Sequence, residues 1–292
     1  MDSVPILVIV GPTASGKSAL AVRIAKQRRG EVISADSRQV YKGLDIGTGK
    51  ITRREMRGIP HHLLDVSSPR AIFTAHDFVR LGRKAIADIH KRGKLPIVCG
   101  GTGFYIDALL GRRALAETPR DEKLRARFSR KSAAQLFTLL ARKDAVRAAQ
   151  MDTPSERHNK ARLIRALEIA YQKKGATSPP LPRYDIEWIG IDWPDDVLKK
   201  RIHKRLAARM KTGMLVEAQR LHTRGLSWKR MEELCLEYRY LSRYLRRRMS
   251  KDEMLAQLEH EIWQYAKRQR TWWRKNAEIS WRIQTKRPAT KR

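Results

Sequence analysis

The sequence predicts an α/β fold, a parallel sheet flanked by helices and interrupted by a helical insertion, and three observations carry that prediction. The first is the apolar run Ile6–Val10. It ends in a glycine-bounded loop, Gly11 to Ser18, and is followed by helical apolar spacing at Ala19, Leu20, Ala21, Ile24 and Ala25. The second is alternation: Glu31–Ala35 and Leu95–Cys99 read as short buried strands, with Phe78, Leu81, Ala85 and Ile89 at helical spacing between them, in a helix expected over Phe78–Arg92. Strands that alternate with helices pair in parallel, because each crossover helix returns the chain to the same end of the sheet. The third is a long helical interval, roughly 113–183. It opens after Gly111-Arg112-Arg113, closes at Ser178-Pro-Pro-Leu-Pro182, and precedes one more strand, Ile186–Ile191.

In chain order the glycine-bounded loop comes first. Gly11, Gly16, Lys17 and Ser18 fit the spacing G-x-x-x-x-G-K-[ST], with the strand before and the helix after that the motif requires. In that context successive backbone amides and the helix N-terminus point at one anion. Gly11, Pro12, Thr13, Ala14, Ser15, Gly16, Lys17 and Ser18 are therefore expected to grip a phosphate or a pyrophosphate. The glycines admit the unusual dihedrals, Lys17 adds a point charge, and the Ser18 hydroxyl is a ligand for Mg²⁺. The core is expected to be P-loop NTPase-like over 1–112 and 184–283, with the helical insertion at 113–183 and a disordered basic tail at 284–292.

The second strand runs into Asp36, within Ser34-Ala-Asp-Ser-Arg-Gln-Val-Tyr41. A carboxylate at a strand end facing a phosphate loop holds Mg²⁺, accepts a proton, or simply caps a helix. The polar set Ser37, Arg38 and Gln39, with Tyr41 for stacking, favours a substrate-reading loop. The strand at Leu95–Cys99 is followed by Gly100-Gly-Thr-Gly103. Ligands of parallel sheets lie at the C-terminal strand ends, so the phosphate loop, Asp36 and Thr102 are expected to converge.

Charge points to the partner. The chain carries 63 Lys and Arg against 30 Asp and Glu, a net +33, far beyond what solubility needs. The excess is concentrated after residue 198, where a nucleic acid is expected to lie. Arg201, Arg205 and Arg209 share one helix face, either a solvated stripe or a binding edge. On the last long helix Leu255, Leu258, Ile262, Tyr265, Gln269, Trp272 and Trp273 are expected to pack on the core. Trp263, Lys267, Arg270 and Arg274 form a second, basic face suited to phosphate contact and base stacking. Cys99 and Cys235 are too far apart in sequence for a CxxC site, which suits a reducing cytoplasm. The chain enters its first strand without a charged leader, and no apolar run approaches the ~18 residues of a membrane span.

Six motifs stand in one order: Gly11-Pro-Thr-Ala-Ser-Gly-Lys-Ser18, Asp36-Ser-Arg-Gln-Val-Tyr41, Asp45-Ile-Gly-Thr48, Gly100-Gly-Thr-Gly-Phe-Tyr105, Arg162-Leu-Ile-Arg-Ala-Leu-Glu168 and Tyr265-Ala-Lys-Arg-Gln-Arg-Thr-Trp-Trp-Arg274. Together they resemble the tRNA dimethylallyltransferase (isopentenyltransferase) family over residue 6 to about Trp281. The resemblance implies transfer of a dimethylallyl group from dimethylallyl diphosphate to N6 of the adenosine immediately 3′ of a tRNA anticodon. It makes Asp36 the general base, places Thr102 at the reaction centre, and directs Arg205 and Lys17 at the leaving diphosphate, with Mg²⁺ at Ser18. Implied tRNA contacts are Asp36, Ser37, Arg38, Gln39, Thr102, Arg125, Arg162, Arg165, Tyr238, Arg239, Lys267, Arg268, Arg270 and Arg274. The target base has to leave its stack to enter the pocket.

The chain departs from the family pattern at Ala161, at Glu237 before Tyr238-Arg239, and at Ile262-Trp263. These changes bear on RNA contact more than on prenyl chemistry. No zinc finger follows Trp281, so the bacterial type is the closer likeness, and a cytoplasmic monomer is expected. Two other classes fit parts of the sequence: a phosphate-loop kinase of a small metabolite, and an RNA-binding protein without catalysis. The kinase leaves the basic last third without a use, and the bare RNA binder leaves Lys17, Ser18, Asp36 and Thr102 without one.

Overall fold

The computed structural model describes residues 3–116, 118–172 and 183–283. The Ser178–Pro182 linker and the tail at 284–292 lie outside the described residues. The chain divides into two compact units, Met1–Arg113 with Pro182–Arg292, and Ala114–Leu181.

The first unit begins with β1 (Val4–Val10), α1 (Lys17–Gln27), β2 (Gly30–Ala35), α2 (Arg53–Met56), β3 (His61–His62), α3 (Ala75–Lys91), β4 (Leu95–Gly100) and α4 (Gly103–Leu109). The second unit is α5 (Glu122–Ser129), α6 (Ala133–Lys143), α7 (Ala145–Gln150), α8 (Pro154–Arg157) and α9 (Lys160–Tyr171). The first unit resumes with β5 (Tyr184–Asp192), α10 (Asp195–Lys211), α11 (Met214–Thr223), α12 (Trp228–Leu234), α13 (Leu236–Leu245), α14 (Lys251–Trp273) and β6 (Ser280–Ile283).

All six strands are parallel, in the order β3-β2-β4-β1-β5-β6. Strand β1 is central and buried on both faces, which is why it reads as a continuous apolar run. Side chains alternate across the pleat. Ile6, Val8 and Val10 pack with Phe78 and Ile89 of α3 and Ile106 of α4. Leu7 and Ile9 pack with Leu20, Ala21 and Ile24 of α1 on the other face. A third cluster joins α10 to α14 with Val40, Tyr41 and Leu44, so the segment after β2 is held by the C-terminal helices. The second unit has its own core around Phe128, Leu136, Leu140, Leu163 and Leu167.

Helix α3 starts earlier than its apolar spacing indicates, because Thr74 and Asp77 form a capping box. Two strands went unpredicted. β3 is too short to show a pattern, and β6 is a mostly exposed edge strand whose pairing with β5 supplies its order. Among the described residues, no helix is long and apolar enough to cross a membrane.

Candidate active site

The loop between β1 and α1 has the backbone its glycines allow. Gly11 sits at φ +150°, and a Cβ there would meet the Ile191 carbonyl of the neighbouring strand at 2.3 Å. Groups from the far end of the chain hold the loop open. The Gln269 side chain accepts the Thr13 amide at 2.8 Å and donates to the Gly101 carbonyl at 3.0 Å. Arg201 Nε donates to the Ala14 carbonyl at 2.7 Å, and the Trp193 indole donates to the Ser15 carbonyl at 2.8 Å. In a planar trans peptide the N–H opposes the C=O, so fixing the Ser15 carbonyl outward turns the Gly16 amide inward. The Lys17 and Ser18 amides follow in the first turn of α1, where no intrahelical partner exists. Ser15 Oγ is buried without a hydrogen-bond partner among the described residues, which suits a loop shaped for an anion.

Lys17 Nζ donates to the Pro12 carbonyl at 3.2 Å. Burial lowers its pKa, the nearby Arg205 charge adds to that, and Cys99 and Asp36 oppose it. Asp36 ends β2, directly across from the loop. Its Oδ1 accepts the amides of Arg38 at 2.8 Å and Gln39 at 3.3 Å, so the turn itself aims the carboxylate. The Ala35–Gly100 register of β2 and β4 brings Thr102 alongside. Thr102 Oγ1 accepts the Ser37 amide at 3.3 Å and lies beside Tyr265, whose phenol is pushed up to about 12, chiefly by burial. Arg205 spans the gap, with one nitrogen 3.5 Å from Thr13 Oγ1 and another 3.0 Å from the Gly49 carbonyl. Thr13, Lys17, Ser18, Asp36, Gln39 and Arg205 line one cavity of about 70 Å³. Burial also lowers the pKa of the Arg205 guanidinium, a charge poorly solvated by the protein alone.

The expected RNA contacts fall in different surroundings. Arg270 is buried and ion-paired to Asp192 at 2.8 Å and Asp195 at 2.5 Å, so it closes the core and does not belong to an exposed basic face. Tyr238 is fully buried and donates its hydroxyl to Glu217. Within the second unit Arg125 makes two 2.6 Å bonds to the buried Glu168. Arg165 binds the same carboxylate and the Thr118 carbonyl. Arg239 is half-buried, with Nε on the Glu232 carbonyl. Arg162, Lys267, Arg268 and Arg274 are exposed, and Arg162 pairs with Glu156. The departure at Glu237 has a partner, Arg209, at 3.0 Å. Trp263 lies beneath Lys199, Lys267 and Arg270. Trp273 is core, stacked obliquely on Trp188, whereas Trp272 is half-buried and donates to Asp107. All three arginines of the α10 stripe hold loop carbonyls, so none of it is merely solvated. Sequence reasoning places Gln269 on the core face but misses its loop contacts, and it misses Glu217 altogether, because a polar residue on an apolar helix face carries no mark of the backbone it will meet.

Fold and site together define an α/β phosphate-loop enzyme in which the loop confronts a carboxylate and a half-buried arginine. The chain belongs to the IPP transferase family, whose model matches residues 39–276, and it is a prenyltransferase. It is 43% identical to tRNA dimethylallyltransferase 2 of Citrifermentans bemidjiense, over 92% of this chain and 86% of that protein. It is 41% identical to the Treponema denticola protein of the same name, over 94% of each. The tRNA isopentenylpyrophosphate transferase of Bacillus halodurans shares the fold at TM-score 0.72 and 36% identity, covering 96% of this chain and 90% of that one. A eukaryotic dimethylallyltransferase solved acting on tRNA matches at TM-score 0.81 and 26% identity, over 96% of this chain and 74% of that one.

Proposed function

We propose that the protein transfers a dimethylallyl group from dimethylallyl diphosphate to N6 of the adenosine immediately 3′ of the anticodon in tRNA. The observation that carries this reading is the single cavity in which the phosphate loop, Arg205 and Asp36 face one another. The N6–C1 bond forms as the C1–O bond to the diphosphate breaks. Charge then builds on the leaving diphosphate, where the Gly16, Lys17 and Ser18 amides, Lys17 Nζ and Arg205 stabilise it. The aromatic amine becomes acidic once alkylated, and its proton passes to Asp36, a step such bases accelerate ~10²–10⁴-fold. Thr102, fixed by Ser37, positions the adenosine beside Asp36.

Mg²⁺ fits the donor set as a substrate-held ion. Among the described residues, His, Cys, Asp and Glu form no metal cage, and Ser18 is exposed on the cavity wall. A hard cation bound mainly through diphosphate oxygens and water needs little more than that hydroxyl. When bound, it neutralises charge on the departing diphosphate. In the first unit the tRNA lies on the exposed cations Lys267, Arg268 and Arg274, with Ser37, Arg38 and Gln39 at the target base; in the second unit Arg162 is its exposed contact. The protein acts as a cytoplasmic monomer.

Incubation with labelled dimethylallyl diphosphate, Mg²⁺ and bulk bacterial tRNA tests this reading, with parallel tubes holding ATP instead. Label on adenosine N6 without ATP is the expected result. Phosphate moved from ATP to a small acceptor, with no label on RNA, would replace it with the kinase.

A further inference from the structure

Glu217 of α11 is a carboxylate only 2% exposed, and no cation pairs with it among the described residues. Three consecutive backbone amides converge on it instead: Asp45 at 3.0 Å and Ile46 at 2.9 Å on Oε2, and Gly47 at 2.8 Å on Oε1. The Tyr238 hydroxyl completes the set at 2.5 Å, and burial with the Glu217 charge beside it pushes that phenol upward, keeping it a donor. Consecutive amides cradling one anion form a nest, here filled by the protein's own carboxylate. A charge buried this deeply costs stability unless its hydrogen bonds are all made.

The segment so held reaches the cavity at the very next residue. Thr48 lines the cavity wall, and the Gly49 carbonyl accepts from Arg205 at 3.0 Å and from Gln39 at 3.5 Å. Arg209 takes the Ile46 carbonyl from the other side, and Lys50 ties the end of the segment to Asp45, Asp65 and the Tyr41 carbonyl. The other side-chain anchor of Arg205, Thr13 Oγ1, is at the long distance of 3.5 Å. Ordering a free arginine side chain costs rotamer entropy, so the firm Gly49 contact presets its direction.

We propose that Glu217 is a positioning residue for the diphosphate site: by fixing the 45–47 amides it sets the Gly49 carbonyl, and through it the aim of Arg205. This rests on the reading of the cavity as a diphosphate site. Glu217 touches no substrate and acts only through Arg205.

A double-mutant cycle on inorganic pyrophosphate binding, measured calorimetrically with Mg²⁺, tests it on the wild type, Glu217→Gln, Arg205→Ala and the double variant. Glu217→Gln is expected to weaken pyrophosphate about tenfold in the wild-type background and less than about twofold beside Arg205→Ala, the coupling expected of a shared contact. Equal losses in both backgrounds, or no loss in the first, overturn the positioning role. Unchanged binding by Arg205→Ala overturns the diphosphate site itself, and the positioning role falls with it. Thermal denaturation reports whether each variant folds. Glu217→Asp, which keeps the charge and shortens its reach to the amides, runs in the same cycle and decides the matter where the Gln variant does not fold.

Discussion

Gln269, near the end of the last long helix, accepts the amide of Thr13 at 2.8 Å, joining the phosphate loop to a residue 256 positions away. Its amide nitrogen donates to Gly101, so one side chain also ties β1's loop to the turn that carries Thr102. The bridge fits only because residue 101 is glycine. A Cβ there would lie 2.0 Å from Gln269 Nε2.

Gln269→Leu therefore removes a donor and an acceptor together and leaves two buried backbone groups unpaired. The expected cost is about 2–6 kcal/mol of stability, at ~1–3 kcal/mol for each unsatisfied group. Transfer kinetics should show a raised KM for dimethylallyl diphosphate with a smaller change for tRNA. An unchanged KM for the diphosphate would remove Gln269 from the site.

Arg270 and Lys267 lie one turn apart on α14 and should respond oppositely. Arg270→Ala leaves the part-buried Asp192 unpaired and Asp195 in solvent, and opens the space the arginine fills, so it is expected to cost about 1–3 kcal/mol, read as a lower denaturation midpoint. Lys267→Ala is expected to leave stability within about 0.5 kcal/mol and to weaken tRNA binding, lowering the slope of log K against log salt by ~1. A stable Arg270→Ala with impaired RNA binding would restore the exposed-face reading.

Glu31 gives a pH signature. Burial alone raises its carboxyl, but hydrogen bonds from Lys94 and His62 and the charge of Arg92 outweigh that and hold it at about 2, against 4.5 unperturbed. A depressed carboxyl contributes stability above its unfolded value and loses it as pH falls from about 4.5 towards 2. Glu31→Gln should cost about 3 kcal/mol at neutral pH, from ~1.4 kcal/mol per pKa unit. The gap from wild type should narrow as pH falls from about 5 to about 3. A gap constant across that range would show that the four groups do not act as a charged cluster.

How much of this was legible in the sequence depended on whether a residue's partners lie nearby in the chain. The loop from Gly11 to Ser18, the turn at Asp36 and the strand β1 are set by contiguous residues, so their spacing identified them. The buried strands were found for the same reason, whereas β3 and β6 owe their order to the strand beside them and showed no pattern of their own. Charge misled where an acid waited inside the fold. Arg270 meets aspartates 75 and 78 positions away, so it reads as part of a basic face, and Arg125, an RNA contact only by the resemblance, meets Glu168 43 positions away. Tyr238 is an RNA contact only by the resemblance, and nothing near it in sequence shows that its hydroxyl meets Glu217.

The most direct test of the central claim is a paired measurement on Asp36→Ala: tRNA affinity, and the single-turnover rate of label transfer. The account gives Asp36 the proton and leaves RNA affinity to the exposed cations, so affinity should stay within about twofold while transfer falls ~10²–10⁴-fold. Weakened tRNA binding with an unimpaired rate at saturation would contradict the account, since Asp36 would then hold the substrate and some other group would take the proton.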